Sequence, residues 1–315
     1  MELEKLRKLH PHHWEKANAI RVLTLDAVAA ANSGHSGMPV GMADVATILF
    51  EKHLKFSTAQ PNWPDRDRFI LSAGHGSMLL YSIAYLCGYA DFDIDQLKNF
   101  RQLGKKTAGH PENFLSDVIE TTTGPLGQGI ANSVGFAIAE ESLRARFGRN
   151  IIDHHTFVIA GDGCLMEGVS QEAISLAGHL RLHKLIVFWD NNNITIDGTV
   201  DLTDSTDQKT RFEASGWEVI EIDGHNPEEI DSAISAAKKS EKPTMIACKT
   251  HIAIGTAAQD TSKGHGALTD PELIKNAREV YQWSHKPFDI PKSIKEQWEQ
   301  AGFEGHKAFK RWQSN

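Results

Sequence analysis

Short apolar runs alternate with longer segments of helical periodicity along the central part of the chain. The runs are rich in β-branched residues and lack polar alternation, which is typical of strands buried on both faces of a sheet. Their alternation with helices predicts an α/β fold, a doubly wound and mostly parallel sheet with helices on both faces. The predicted strands are Arg68–Ser72, Thr156–Ala160, Leu185–Trp189, Trp217–Ile222 and Thr244–Lys249, and two predicted helices are Ile130–Phe147 and Gln171–Leu182.

The pattern changes near residue 270, where strand-like runs stop. Asp270 followed by Pro271 is typical of a helix start, with the Asp as N-cap and the Pro in the first helical position. A final polar helix is predicted over Ser293–Trp312. We therefore predict a main domain over residues 1–270 and a helical arm, or the start of a linker, over residues 271–315.

Composition describes an ordinary globular protein, with 315 residues, 40% of them hydrophobic and 23% charged. The formal net charge of −8 argues against general affinity for nucleic acid. No apolar run approaches the length of a membrane span, and the charged start Met1–Lys8 lacks the apolar core of a signal peptide. Cysteines are few and far apart, so we expect small core residues in a protein of the reducing cytoplasm. They are Cys87, Cys164 and Cys248.

Oxygen ligands follow two neighbouring predicted strands. Asp162, within the turn Gly161–Gly163, comes after one strand, and Asn192 stands thirty positions later, after the next. Two parallel strands would bring both side chains to the carboxyl edge of the sheet, where α/β proteins bind ligands. An Asp and an Asn suit Mg²⁺ or Ca²⁺ carrying a phosphorylated ligand. The alternative is an ordinary Gly-Asp-Gly turn.

A glycine-rich loop, Gly124–Gly129, precedes the helix predicted from Ile130. Its glycines allow the backbone to approach a ligand closely, and the helix N-terminus favours anions. The alternative is a tight turn with close helix packing. It is not a Walker loop, because no Gly-Lys-Ser/Thr follows.

Four segments place a histidine directly after a glycine and among small residues. Such an imidazole has little local packing and is available to a ligand. Imidazoles donate to phosphate or sugar oxygens and move protons near pH 7. For any single one, the alternative is a surface or capping role. The four are His35, His75, His110 and His265.

Other polar residues allow competing interpretations. His179 and His183 have the spacing of one helix face, but no further zinc ligand stands nearby in the sequence. Glu167 is interpreted as a favourable carboxylate at a helix start, or as a residue that reaches across an interface. His225 is interpreted as part of a turn after a strand.

Together these motifs resemble the N-terminal, diphosphate-binding half of transketolase. The resemblance covers nearly the whole chain and follows the family order. The metal turn alone would indicate only the wider group of thiamine diphosphate enzymes. The motifs are Ala31–Gly37, Leu71–Leu79, Thr107–Glu112, Thr123–Gly129, Gly161–Gly168 and Ile194–Gly198.

The resemblance implies a cofactor site for thiamine diphosphate and Mg²⁺, with Ca²⁺ as an alternative ion. The side chains of Asp162 and Asn192 and the main-chain oxygen of Ile194 would bind the metal. The residues implied in cofactor contacts are His75, Gly124, Leu126, Gly163 and His265.

The resemblance also implies an activity, in which a two-carbon ketol unit passes from a ketose phosphate donor to an aldose acceptor. His35, His110 and His265 would line the sugar channel and assist proton transfer as catalytic residues. The chain would be either an N-terminal subunit whose pyrimidine-binding domain lies on a second chain, or a fragment. In both cases we expect it to be inactive alone, and with the second chain to form a dimer or heterotetramer. The alternatives are a subunit of another thiamine diphosphate enzyme, such as one similar to 1-deoxyxylulose-5-phosphate synthase, and a non-catalytic cofactor-binding module.

Three segments depart from the family pattern. Ser36 stands where Pro is usual, and Ala108 stands where Pro is common. Leu268 and Thr269 replace part of a usual Pro-Leu-Gly continuation. These changes leave the implied metal ligands intact, and we expect them to affect loop shape and sugar preference.

Overall fold

A computed structural model describes residues 3–314 of the chain. Its sheet has five strands, all parallel, in the order β1-β2-β3-β5-β4. All five predicted strands are confirmed, with ends that move by at most two residues. They are β1 (Arg68–Leu71), β2 (Thr156–Gly161), β3 (Leu185–Asn191), β4 (Glu218–Asp223) and β5 (Thr244–Lys249).

The inner strands are covered on both faces. Successive side chains of a strand point to opposite faces, yet residues 157–160 of β2 and 185–188 of β3 are all fully buried. Their continuous apolar runs are therefore the sequence signature of a sheet enclosed by helices. The outermost strand, β4, is partly exposed and carries Glu218 and Glu221 on its surface.

Helices fill the connections between the strands. The predicted helix at Ile130–Phe147 is confirmed and begins two residues earlier, whereas the one at Gln171–Leu182 begins three residues earlier and ends at His179. Within residues 3–314 the helices are α1 (Leu3–Leu9), α2 (Pro11–Ala31), α3 (Gly37–Gly41), α4 (Ala43–Ile48), α5 (Met78–Cys87), α6 (Ile94–Lys98), α7 (Gln128–Phe147), α8 (Asp162–Met166), α9 (Gly168–His179), α10 (Gln208–Ala214), α11 (Pro227–Ala237), α12 (Ser262–His265), α13 (Pro271–Tyr281) and α14 (Lys292–Gln313).

The C-terminal helices pack on the rest of the chain. Asp270 is the N-cap of α13, and its side chain accepts a hydrogen bond from the Glu272 amide at 2.9 Å, as predicted. In α14, Trp298 is 1% exposed and its indole N–H reaches the Lys16 carbonyl at 3.4 Å. The predicted division between residues 1–270 and 271–315 stays a prediction.

Two expectations from composition have structural counterparts. None of the helices within residues 3–314 has the length and apolar character needed to cross a membrane. All three cysteines are buried and unpaired, which confirms their interpretation as core residues.

Candidate functional site

The carboxyl ends of β2 and β3 bring the two predicted metal ligands to one edge of the sheet. Gly161, the last residue of β2, pairs with Asp190 in β3. Asp162 follows the first, and Asn192 comes two residues after the second. Both side chains line a single cavity of about 460 Å³, as does Ile194.

Hydrogen bonds from β3 fix both side chains. The Trp189 indole N–H donates to Oδ1 of Asp162 at 3.0 Å. The Asn192 amide nitrogen donates to Oδ2 of Asp190 at 2.9 Å, while its Oδ1 accepts from the Ile194 amide at 2.9 Å. Ile194 is itself held by an isolated antiparallel bridge to Thr199, so the turn after β3 has a fixed shape. Sequence reasoning missed the roles of Trp189, the last residue of the predicted strand, and of Asp190, the residue that follows it.

The two carboxylates at this edge are deeply buried. Burial raises the pKa of Asp162 to about 6 and the pKa of Asp190 to about 7. Within residues 3–314 neither forms an ion pair. A divalent cation would compensate the negative charge of these buried carboxylates. One carboxylate, one amide oxygen and one main-chain oxygen would leave coordination positions open for phosphate oxygens. The donor set therefore fits the implied Mg²⁺.

The glycine-rich loop is anchored beside these residues. The Thr123 hydroxyl donates to the Leu71 carbonyl at the end of β1, at 2.8 Å. Gly124 and Gly127 have φ of +150° and +83°, values that favour glycine over residues with a Cβ. Gly127 is also the N-cap of α7. Gly124 and Leu126 line the cavity, so backbone amides and a helix N-terminus lie next to it, as an anionic diphosphate requires.

The four histidines predicted from their glycine neighbours all line this cavity. Three form a compact cluster, in which the ring centroids of His35, His75 and His265 are 5.0 to 5.5 Å apart. His110 lies against Gly124, where an added Cβ would be 3.2 Å from the ring. Residues from four separate segments of the chain thus meet around one space.

These imidazoles are neutral at pH 7. Burial, with a smaller contribution from neighbouring ionisable side chains, lowers the pKa of His35 to about 4 and the pKa of His75 to about 3. The pKa values of His110 and His265 are also lowered, again chiefly by burial. Nδ1 of His35 is buried with no hydrogen-bond partner among the described residues, so it is available to a ligand.

Arg101 supports the histidine cluster and was missed in the sequence. Its guanidinium donates to the Ser33 hydroxyl at 3.0 Å and lies against Gly109. Its charge contributes to the lowered pKa of His35 and of His110. A lone Arg in a polar loop gives no sequence signal for this position.

Two of the departures from the family pattern contact each other. The Ser36 amide donates to the Gly266 carbonyl at 2.9 Å, and its hydroxyl accepts from the Leu268 amide at 3.3 Å. Gly37 is packed so closely that a Cβ there would lie 2.4 Å from the Gly264 carbonyl oxygen. These contacts join the segments that carry His35 and His265.

Other histidines lie outside the site. His225, interpreted as a turn residue, is 1% exposed and its Nδ1 is 2.8 Å from the carboxylate of Asp44, an internal structural contact. The shared helix face expected for His179 and His183 is wrong, because α9 ends at His179 and Arg181 turns the chain with a left-handed φ of 52°. Glu167 is exposed at the N-cap of α9.

A larger cavity, of about 850 Å³, lies between α2 and α13. Its buried carboxylate, Asp26, is held by Arg278 at 2.5 and 2.7 Å and by the Phe288 amide at 2.8 Å. That carboxylate is committed to a structural contact, whereas the smaller cavity gathers the candidate chemistry.

Comparison with known proteins identifies the family of this chain. A family profile described as "Transketolase, thiamine diphosphate binding domain" matches residues 12–315. This chain belongs to that transketolase family. The resemblance found in the sequence is therefore confirmed, and with it the presence of a thiamine diphosphate-binding domain of a transferase family.

Relatives of the transketolase family match this chain over nearly its full length. Transketolase of Rhodobacter capsulatus is 58% identical over 315 residues, which is 100% of this chain and 47% of the relative. Transketolase of Cereibacter sphaeroides is 56% identical over 95% of this chain and 46% of the relative. The chain thus spans about half the length of these curated relatives.

Solved transketolase structures share the fold. The crystal structure from Campylobacter jejuni has a TM-score of 0.94 and 44% identity, covering 96% of this chain and 48% of that one. The structure from Pichia stipitis in complex with sedoheptulose 7-phosphate has a TM-score of 0.93 and 42% identity, covering 96% and 46%. The predicted α/β class is confirmed by these neighbours.

Proposed function

We propose that this chain binds thiamine diphosphate with Mg²⁺, or Ca²⁺ in its place, as the N-terminal part of a transketolase. The complete enzyme would transfer a two-carbon ketol unit from a ketose phosphate to an aldose acceptor. One observation carries the proposal: the candidate oxygen ligands, residues of the glycine-rich loop and four neutral histidines all line one cavity. The sugar phosphate bound in the Pichia stipitis relative supports the substrate class.

Different residues of the cavity would bind the cation and the cofactor. Asp162, Asn192 and the main-chain oxygen of Ile194 would hold the cation, whose charge would favour binding of the anionic diphosphate. Gly124, Leu126 and Gly163 would contact the cofactor at the N-terminal end of α7. The bound cofactor supplies the electron sink for breaking and forming the carbon–carbon bond.

The histidines would act on substrate oxygens. A neutral imidazole can both donate a hydrogen bond and accept a proton, so His35, His110 and His265 suit proton transfer at a carbonyl or hydroxyl oxygen. His75, stacked on His265 with centroids 5.0 Å apart, would border both the cofactor and the sugar channel. Their partial burial lowers the local dielectric constant and strengthens their hydrogen bonds.

The complete activity would require a partner. Because the chain spans about half the length of its relatives, we infer that a second chain or segment supplies the pyrimidine-binding domain. The assembly would be a dimer or heterotetramer, and the chain alone would be inactive. Three unpaired, buried cysteines support a cytoplasmic location.

Calorimetric titration tests cofactor binding directly. We expect thiamine diphosphate to bind in the presence of Mg²⁺, to lose affinity with a chelator, and to lose it equally in Asp162→Ala. Asp117→Asn, at an exposed carboxylate that accepts from Asn62, is the matched control and should bind normally. If cofactor binding does not depend on the metal, the result favours the alternative of a non-catalytic cofactor-binding module.

Reconstitution tests the reaction. The cofactor-loaded chain is mixed with a chain that carries the remaining transketolase domains, and two-carbon transfer from ketose phosphates is followed by product analysis. Transfer that is lost in His110→Ala supports the proposal. Tight cofactor binding without transfer from any ketose phosphate would place the chain with another thiamine diphosphate enzyme.

A further inference from the structure

Asp190 is a buried carboxylate that none of the predicted roles uses. It lies in β3, is 1% exposed and forms no ion pair within residues 3–314. Its Oδ1 accepts from the Thr250 hydroxyl, and its Oδ2 accepts from the Asn192 amide nitrogen at 2.9 Å. Burying a carboxylate without an ion pair costs free energy, which indicates that its hydrogen bonds have a function.

Its partner, Asn192, could face the cavity with either end of its amide, since oxygen and nitrogen are nearly equal in shape. Only the oxygen binds a cation. The nitrogen end donates to Asp190, and the oxygen accepts from the Ile194 amide at 2.9 Å. A flipped amide would set oxygen against carboxylate and N–H against N–H, losing both hydrogen bonds. The two neighbours therefore select one orientation and leave a lone pair of Oδ1 for another partner.

We propose that Asp190 is a positioning residue for the cation site: it holds the Asn192 amide with its oxygen available to the metal. Thr250, directly after β5, fixes the carboxylate in turn. This inference rests on the proposed function, because it presumes that a cation binds beside Asn192. Groups that orient metal ligands in this way commonly change metal affinity by about 10- to 100-fold when removed.

The test measures Mg²⁺ affinity of the whole chain at saturating thiamine diphosphate, by calorimetry. We expect Asp190→Ala to weaken Mg²⁺ binding by about 10- to 100-fold. Asp190→Asn keeps an oxygen for the Asn192 nitrogen and can donate to the Thr250 hydroxyl, so its loss should be several-fold smaller than that of the alanine variant. Thr250→Val, which frees one carboxylate oxygen, should also lose less.

A double-mutant cycle separates positioning from general structural damage. If Asp190 acts through Asn192, its removal should have no further effect on Mg²⁺ affinity in an Asn192→Ala background. If Asp190 has a purely structural role, the losses of Mg²⁺ affinity in the two single variants should add. These losses should then also parallel the decrease in the urea midpoint of the metal-free variants. If Asp190→Ala does not fold, Asp190→Asn and Thr250→Val in the same background provide the cycle.

The outcomes are distinct. Normal Mg²⁺ affinity in Asp190→Ala, additive losses, or equal losses in Asp190→Asn and Asp190→Ala would each overturn the positioning role while the proposed function stands. Absence of metal-dependent cofactor binding in the unsubstituted chain would overturn the proposed function, and the positioning role with it.

Discussion

Asp162→Asn should stabilise the metal-free protein while abolishing its metal-dependent cofactor binding. The carboxylate is 7% exposed, and among residues 3–314 the one side chain that donates a hydrogen bond to it is Trp189, through its indole N–H at 3.0 Å. The amide oxygen of the variant can still accept that hydrogen bond. The substitution therefore removes a buried charge and keeps the side-chain shape and the hydrogen bond. Gains in stability of this kind are expected at functional sites, where a residue needed for function destabilises the fold.

The magnitude follows from proton linkage. Burial raises the pKa of Asp162 from 3.8 to about 6. Because the folded-state pKa lies above the unfolded value, stability is lost as pH rises through 6. The raised pKa then costs about 3 kcal/mol of stability at pH 8, where the buried side chain is ionised. It costs about half of that at pH 5, where the folded protein holds a proton that the unfolded chain has lost. The variant has no proton to lose, so it should gain that amount.

Urea unfolding in the presence of a chelator measures this difference at pH 8 and at pH 5. The variant should be more stable at both values, with a clearly larger gain at pH 8. Asp117→Asn, on the surface, should change little at either pH. Added Mg²⁺ and thiamine diphosphate should stabilise the unsubstituted chain and leave the variant unchanged.

The reasoning fails if the metal-free variant is less stable than the unsubstituted chain at pH 8. That result would mean that the Asp162 carboxylate is already compensated by the protein. A gain that is the same at both pH values would also contradict it, because a packing effect does not titrate.

Three further predictions concern packing, the departures and acid stability. Gly37→Ala should destabilise the fold by about 1 to 3 kcal/mol and weaken cofactor binding, because its Cβ would lie 2.4 Å from a backbone oxygen. Gly135→Ala, with open space around it, should not destabilise the fold. Urea unfolding compares the two variants. Ser36→Ala loses the hydroxyl that accepts from the Leu268 amide at 3.3 Å, so the reconstituted enzyme should show a several-fold higher KM for sugar with little change in unfolding midpoint. Burial lowers the pKa of His155 to about 4, so the stability contributed by its neutral form is present above pH 6.5 and is lost as pH falls. His155→Gln should therefore reduce the loss of stability between pH 7 and pH 5 by about 2 kcal/mol, measured by thermal unfolding at each pH. An unchanged pH profile would contradict the assignment.

Most of the fold could be read from the sequence because the strands are unusually explicit. Residues 157–160 of β2 and 185–189 of β3 are all apolar, as enclosure on both faces requires, and each strand ends in a small or polar residue. Helix ends were less accurate. The end of α9 at His179 depends on a left-handed turn at Arg181, a non-glycine residue that gives no local warning.

The candidate site divides in the same way. Asp162, Asn192 and the Gly-His segments stand at strand ends and in glycine-rich loops, where sequence patterns point to ligands. Asp190, Trp189 and Arg101 act through side-chain contacts across segments, and such contacts are set by tertiary packing. Asp190 directly follows an apolar run, where a carboxylate reads as the end of the strand.

The central position of β3 has a consequence for how the molecule opens. This strand lies between β2 and β5, so its backbone amides are shielded on both sides and should be among the last to exchange with deuterated solvent. The turn from Asn192 to Thr199 lies beyond that ladder and should exchange much earlier. Ligand exchange at this edge then requires movement of only a few residues, while the strand that carries Trp189 and Asp190 stays closed.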